Sequence, residues 1–118
     1  MPIIPITIAG TARTMNVEAL IDSGANRCFC QIEIGEILGV PLASCPKESV
    51  SGIGGSSEVF IYKLIIDIEH GIYRLPADVG FGRFNFHGFS FILGQKDFFE
   101  NIDVLFQRRK GAIEVLLP

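Results

Sequence analysis

Short runs of alternating or β-branched apolar residues recur along the chain, and Gly, Pro, Asn or charged residues separate them. A two-residue period puts successive side chains on opposite faces of a strand, so the pattern predicts an all-β barrel or sandwich. The strands read as Ile3–Ile8, Thr14–Ile21, a short piece at Cys28–Cys30, Ser49–Gly52, Glu58–Glu69, Ile72–Gly80, Phe89–Leu93, Ile102–Phe106 and Ala112–Leu117. Turns are signalled at Ala9-Gly10, His70-Gly71 and Lys110-Gly111. Two segments look helical: Ile32–Leu38, closed by Gly39 and Pro41, and a short turn over Gln95–Asn101.

Composition narrows the class. With 118 residues and 48% hydrophobic content the chain has the material for one compact domain spanning 1–118, without linker, repeat or low-complexity stretch. The longest uncharged stretches, Met1 to Ala12 and Phe84 to Gln95, are too short for a membrane span. The opening MPIIPITI lacks a basic region and reads as a first strand, which points to a cytoplasmic location. A net charge of −3 provides no basic field for nucleic acid, and Arg108-Arg109-Lys110 reads as a solvated hairpin turn. Cys28, Cys30 and Cys45 are odd in number and read as free thiols. With His70 and His87 they lack the paired spacing of a metal site, so no metal is expected. Asp97, Glu100, Asp103 and Glu114 are scattered and read mostly as solvated surface.

Three segments carry candidate chemistry. In Val17–Asn26 an apolar strand delivers Asp22 into the small turn Ser23-Gly24-Ala25, where backbone and hydroxyl groups can hold a carboxylate. Alone, Asp-Ser-Gly is an ordinary turn tripeptide. Val50–Ser57 has the glycine-rich composition of a mobile hairpin tip around Ile53, and no Gly-Lys-Ser/Thr follows to make it a phosphate loop. Phe91–Phe99 is an apolar strand stopped by Gly94 before a short helix, inside the stretch 81–99 that holds seven of the ten phenylalanines. Most of those rings are expected in the core.

In this order and spacing the three segments resemble the retropepsin-like aspartic proteases, particularly the small prokaryotic members. Asp22-Ser23-Gly24-Ala25 looks like the catalytic loop, Ser51–Gly55 like the flap, and Ile92-Leu93-Gly94 like the apolar-apolar-Gly motif before the C-terminal helix. The resemblance implies a closed β-barrel with one or two short helices, built as one subunit of a homodimer, and an aspartic endopeptidase without metal or organic cofactor. It implies that Asp22, Ser23 and Gly24 form the catalytic loop, with Ser23 bonding across the dimer axis. Ala25, Asn26, Gly52, Ile53, Gly54, Gly55 and Ile92 would bind an extended peptide, helped by Phe89 and Phe91. Gln95 and Asn26 stand where viral members carry an Arg and an acidic residue, so a contact of different chemistry is expected there.

Aspartic protease chemistry needs two carboxylates sharing a proton, one acting as base on water and the other as acid. The chain has one Asp-Ser/Thr-Gly triplet, so the second Asp must come from a second copy beside a two-fold axis. Such a pair titrates in two steps and predicts an acid to near-neutral optimum. The alternative is a non-catalytic dimerisation or peptide-binding module on the same fold.

Overall fold

The computed structural model describes residues 2–51, 57–69, 71, 73–107 and 112–116. Among the described residues nine strands form in the order the alternation predicts: β1 (Ile3–Ala9), β2 (Thr14–Ile21), β3 (Cys28–Gln31), β4 (Lys47–Val50), β5 (Ser57–Ile68), β6 (Tyr73–Gly82), β7 (Phe91–Leu93), β8 (Asp103–Gln107) and β9 (Ala112–Leu116). Helix α1 spans Ile32–Leu38, and a 3₁₀ turn covers Leu42–Ser44. Gly39 ends α1 in the left-handed conformation (φ 80°), where its N–H and that of Val40 reach the last helical carbonyls.

The main sheet runs β1-β2-β7-β3-β6-β5, and β5 pairs back onto β1, closing a six-stranded barrel. Closure is antiparallel, with Ile8 opposite Ile66. Two pairings are parallel, β2 with β7 and β3 with β6, and in each the partner strands lie far apart in the chain with other elements between them. Pro76 is tolerated in β6 because it lies in the half of that strand whose only sheet neighbour is β5. Strand β4 lies outside the barrel and pairs with the first residues of β5, from Lys47 opposite Phe60 to Val50 opposite Ser57. It begins two residues before the Ser49 expected from the pattern. Lys47 and Glu48 are charged and exposed, so hydropathy does not register them, yet backbone pairing with β5 makes them strand.

Leu64, Ile66 and Ile68 of β5 meet Ile8, Phe81, Phe91 and Phe98 inside the barrel, all at most 2% exposed. Leu38 of α1 closes one end of this core. Strand β7 is shorter than the expected Phe89–Leu93, since Phe89 and Ser90 belong to the preceding loop. The expected turn over Gln95–Asn101 is a single helical turn, Gln95–Phe99, broken where Lys96 is extended and Asp97 adopts φ 74°. Strands β8 and β9 form a separate two-stranded sheet. No helix among the described residues is long and apolar enough to cross a membrane. Gly52, Ile53, Gly54 and Gly55, expected at the flap tip, lie outside the described residues, as do His70, Ile72 and Arg108–Gly111 at two expected turns and a strand start.

Candidate active site

Strand β2 ends at Ile21, and the Asp22 N–H extends its pairing with β7 by donating to the Leu93 carbonyl at 3.0 Å. The chain then turns sharply. The Gly24 N–H donates to Asp22 Oδ1 at 2.9 Å and the Ala25 N–H to the Asp22 carbonyl at 3.2 Å, so the Asp22 carboxylate is held by the turn it opens. Asp22 is half-buried, Ser23, Gly24 and Asn26 are exposed, and Ala25 is buried.

A second segment braces this loop. The Gln95 N–H donates to the Ala25 carbonyl at 2.8 Å, the Lys96 N–H to the Asn26 carbonyl at 3.1 Å, and Gln95 Nε2 to the Ser23 carbonyl at 2.8 Å. Gly94 permits the approach, because a Cβ there would collide with the Arg27 carbonyl oxygen and lie 2.8 Å from that of Ala25. The brace is neutral: a carboxamide on the Ser23 carbonyl, with Asn26 contributing its main-chain carbonyl to the Lys96 N–H. Asp97, expected among the solvated carboxylates, is half-buried instead. Its Oδ2 accepts the Asp78 N–H at 2.9 Å, its own N–H donates to Glu100 Oε1 at 2.6 Å, and Lys96 Nζ pairs with Asp78 at 3.1 Å. The two bonds to Asp78 anchor the bracing turn to β6.

The loop opens onto a cleft of about 410 Å³, within the usual range for ligand sites. Asp22, Gly24, Ala25 and Asn26 form one side, and Phe29 of β3 contributes to the floor. Ser49 and Val50 of β4, with Ser51, also line the cleft, so the residues that precede the expected flap tip share it with Asp22. Arg27 ties the two segments together by an ion pair with Glu48, 2.7 Å from its guanidinium. Asp22 is the one titratable side chain among the described lining residues.

Of the residues the sequence nominates, Asp22, Gly24, Ala25 and Asn26 therefore converge on the cleft. Ser23 sits on the same loop with its carbonyl held by Gln95. Ile92 is 4% exposed and lies behind the cleft in a small cluster with Leu20, Ala25, Phe29 and Val59. Phe89 packs on that cluster, half-buried, whereas Phe91 is fully buried in the barrel. The register explains this: Phe91 and Ile92 are neighbours in β7, and only the second faces the cleft side.

Sequence reading missed three features. The Arg27–Glu48 pair joins residues that carry no local motif. Gly80 and Gly82 of β6 leave room for the rings of Phe29 and Phe84. The Gln31 side chain bonds the Phe84 backbone. The Val-Gly-Phe-Gly run in β6 was the one available signal, since glycine at alternate strand positions marks a close approach.

Cys28 and Cys30 point into the barrel core while Phe29 points to the cleft, the common facing expected of Cys-x-Cys on a strand. Burial pushes the Cys28 thiol up to about 12 and raises Cys30 as well, so both are neutral thiols near pH 7 and neither presents a thiolate. All three cysteines are free. Among the described residues no group of three or more His, Cys, Asp or Glu is arranged to hold a metal ion.

No protein-family model matches the sequence, and no curated protein matches it significantly. Solved structures do match. A retropepsin-like aspartic protease from Rickettsia conorii superposes with a TM-score of 0.65 over 97% of this chain and 89% of that one, at 14% identity. The EIAV protease in complex with an inhibitor superposes with a TM-score of 0.59 over 80% of this chain and 81% of that one, at 20% identity. With its closed six-stranded barrel, outlying β4 arm and strand-end Asp22 loop, the chain has the fold of the retropepsin-like aspartic proteases.

Proposed function

We propose that the protein is a homodimeric aspartic endopeptidase whose catalytic pair is Asp22 from each of two subunits. The observation that carries this reading is Asp22 itself. It is a half-buried carboxylate clamped at a strand end by Gly24, on a loop braced from behind by Gln95, and the one titratable group among the described residues that line the cleft. One carboxylate per chain leaves the acid–base work incomplete, and a second copy across a two-fold axis completes it. The separate β8–β9 sheet supports association, because an isolated hairpin is marginal in water and its open edges favour pairing with another strand.

In this reading the ionised Asp22 takes a proton from a water, which attacks the scissile carbonyl carbon. The protonated Asp22 of the partner subunit donates to the carbonyl oxygen. Collapse of the tetrahedral intermediate breaks the C–N bond as a proton passes to the leaving amine. Ser23 holds the two loops together across the axis, and the Gly24 carbonyl meets the substrate backbone. An extended peptide lies between the Asp22 loop and the β4 arm, with Ala25 and Asn26 beside it and Ile92 backing the apolar wall. Gly52, Ile53, Gly54 and Gly55 close over it as the flap. No metal or organic cofactor is required.

The test is cleavage of a diverse peptide library from acid to neutral pH by the wild type and by Asp22→Asn, read by mass spectrometry. Cleavage by the wild type that disappears in the variant is the expected result. Cleavage surviving in Asp22→Asn overturns the mechanism. Sedimentation that finds a monomer at every accessible concentration overturns the shared site.

A further inference from the structure

Between β6 and β7 the chain runs through Phe84, Phe86 and Phe89, and a single side chain from β3 holds the start of that segment. Gln31 Nε2 donates to the Phe84 carbonyl at 2.7 Å, and Gln31 Oε1 accepts the Phe84 N–H at 3.1 Å. One donor and one acceptor on the same residue is how a strand pairs with its neighbour, so the carboxamide stands in for a missing strand. From Phe84 the rings continue without a gap. Phe84 stacks on Phe86 with centroids 4.9 Å apart, and Phe86 meets Phe89 at 4.9 Å. In the other direction Phe84 contacts Phe29, which lines the cleft, edge-on at 5.6 Å. Gly82 is needed for this path, because a Cβ there would stand 2.9 Å from the Phe84 ring.

Phe84, Phe86 and Phe89 are each half-buried, so part of every ring remains available to another apolar group. They pack on the cluster of Leu20, Ala25, Phe29, Val59 and Ile92, against which Val50 of the β4 arm also rests. The ladder is therefore a lateral continuation of the cleft floor. The far end of the ladder is held by Ser90, whose N–H donates to the Glu18 carbonyl at 3.0 Å and whose carbonyl accepts the Gln31 N–H at 3.1 Å, while the position of its Phe84 end rests on the two bonds to the Gln31 side chain.

We propose that Gln31 is a positioning residue for selectivity: by fixing Phe84 it sets an aromatic wall beside the cleft that favours large apolar side chains in a bound peptide. This inference rests on the cleft being a peptide site. The test is arranged so that loss of catalysis and loss of selectivity are read separately.

Binding is measured by calorimetry in the Asp22→Asn background, using octapeptides in which one phenylalanine is moved through a valine–threonine frame, with alanine in its place as the control. Cleavage of the same peptides is followed in the parent chain. Gln31→Leu, which can make neither bond, is expected to reduce the phenylalanine-over-alanine preference by about tenfold, the scale at which an apolar pocket discriminates. Gln31→Glu supplies the sharper arm. A protonated carboxyl has the donor and acceptor of the carboxamide, while a carboxylate only accepts and faces the Phe84 carbonyl.

The Gln31→Glu chain should therefore keep the preference at about pH 3.5 and lose it at about pH 7.5, on either side of the carboxyl range. Glu33, Arg83 and His87, on the same two segments, are common to both chains and cancel in the comparison. Unchanged preference in Gln31→Leu, or a Gln31→Glu preference that ignores pH, overturns the proposal. If Gln31→Leu fails to fold, the pH arm decides alone. Selective binding without cleavage by the parent chain refutes only the proteolytic reading. Absence of peptide binding in every chain overturns both.

Discussion

Two apolar clusters share the same strands and have opposite characters. The barrel core gathers Ile8, Leu64, Ile66, Phe81, Phe91 and Leu93, all at most 1% exposed, and among the described residues its 22 buried members far outnumber the eight partly buried hydrophobics packed on it. The smaller cluster of Leu20, Ala25, Phe29, Val59 and Ile92 is buried too, but it is roofed by half-buried side chains, Val50, Ile61, Phe84, Phe86 and Phe89. Adjacent residues feed the two: Ala19 and Ile21 against Leu20, Cys28 and Cys30 against Phe29, Phe91 and Leu93 against Ile92. The end of β2 at Ala19–Ile21, β7 and the Cys28–Cys30 part of β3 are thus apolar on both faces because each face has its own cluster to bury. The inner cluster holds the fold, and the outer one supports a surface on which a ligand can add contacts.

The contrast can be broken most severely from inside. Phe91→Ala should destabilise the chain by about 3–5 kcal/mol, as expected for emptying a sealed aromatic site. Phe86→Ala should cost about 1–2 kcal/mol, because the ring it removes is already half in water. Urea denaturation of the two variants checks the pair, and equal losses would erase the distinction between the clusters.

Gly94→Ala tests the joint between site and scaffold. The added methyl meets the backbone of Ala25 and Arg27, so the Asp22 loop must shift. A stability loss of about 1–3 kcal/mol is expected. If the cleft is catalytic, the rate should fall by about a hundredfold, since small misplacements of reacting groups cost that much. Peptide cleavage and thermal melting, measured together, separate the two losses.

The buried thiols give a pH signature. Their folded values lie above the ordinary thiol value of 9.0, Cys28 reaching about 12, so the unfolded chain loses these protons first. Their contribution is intact below about pH 9 and falls as pH rises toward 12, by about 1.4 kcal/mol per pH unit for each thiol while only the unfolded state titrates. Cys28→Ala should flatten the alkaline decline relative to the parent chain in urea titrations across that range. The smallest effect is expected at the rim of the cleft. Glu48→Gln leaves the partly exposed Arg27 guanidinium without its partner and should cost less than about 1 kcal/mol, a difference that shrinks in high salt.

Much of the barrel was legible because its cause is local. A two-residue period fixes which side chains share a face, and it anticipated the common facing of Cys28 and Cys30 on a strand. The Asp22 loop was equally legible, since Asp, Ser and Gly make a turn wherever a strand ends in them. The start of β4 was not, because exposed Lys47 and Glu48 become strand only by pairing with β5. Nor was the irregular turn at Lys96 and Asp97, whose backbone is set by bonds to Asp78 and to the Asp22 loop.

By itself the sequence determined the alternation, the order of the elements and the placement of one carboxylate in a small-residue turn. Each follows from the stereochemistry of neighbouring residues. Tertiary structure alone decided that β5 closes onto β1, that Gly94 touches the back of the Asp22 loop, and that Arg27 meets Glu48. It also decided that Gln31 carries Phe84. Those contacts join residues about twenty or more positions apart. No local preference encodes such a pair, and its geometry exists only once the barrel has closed around its core.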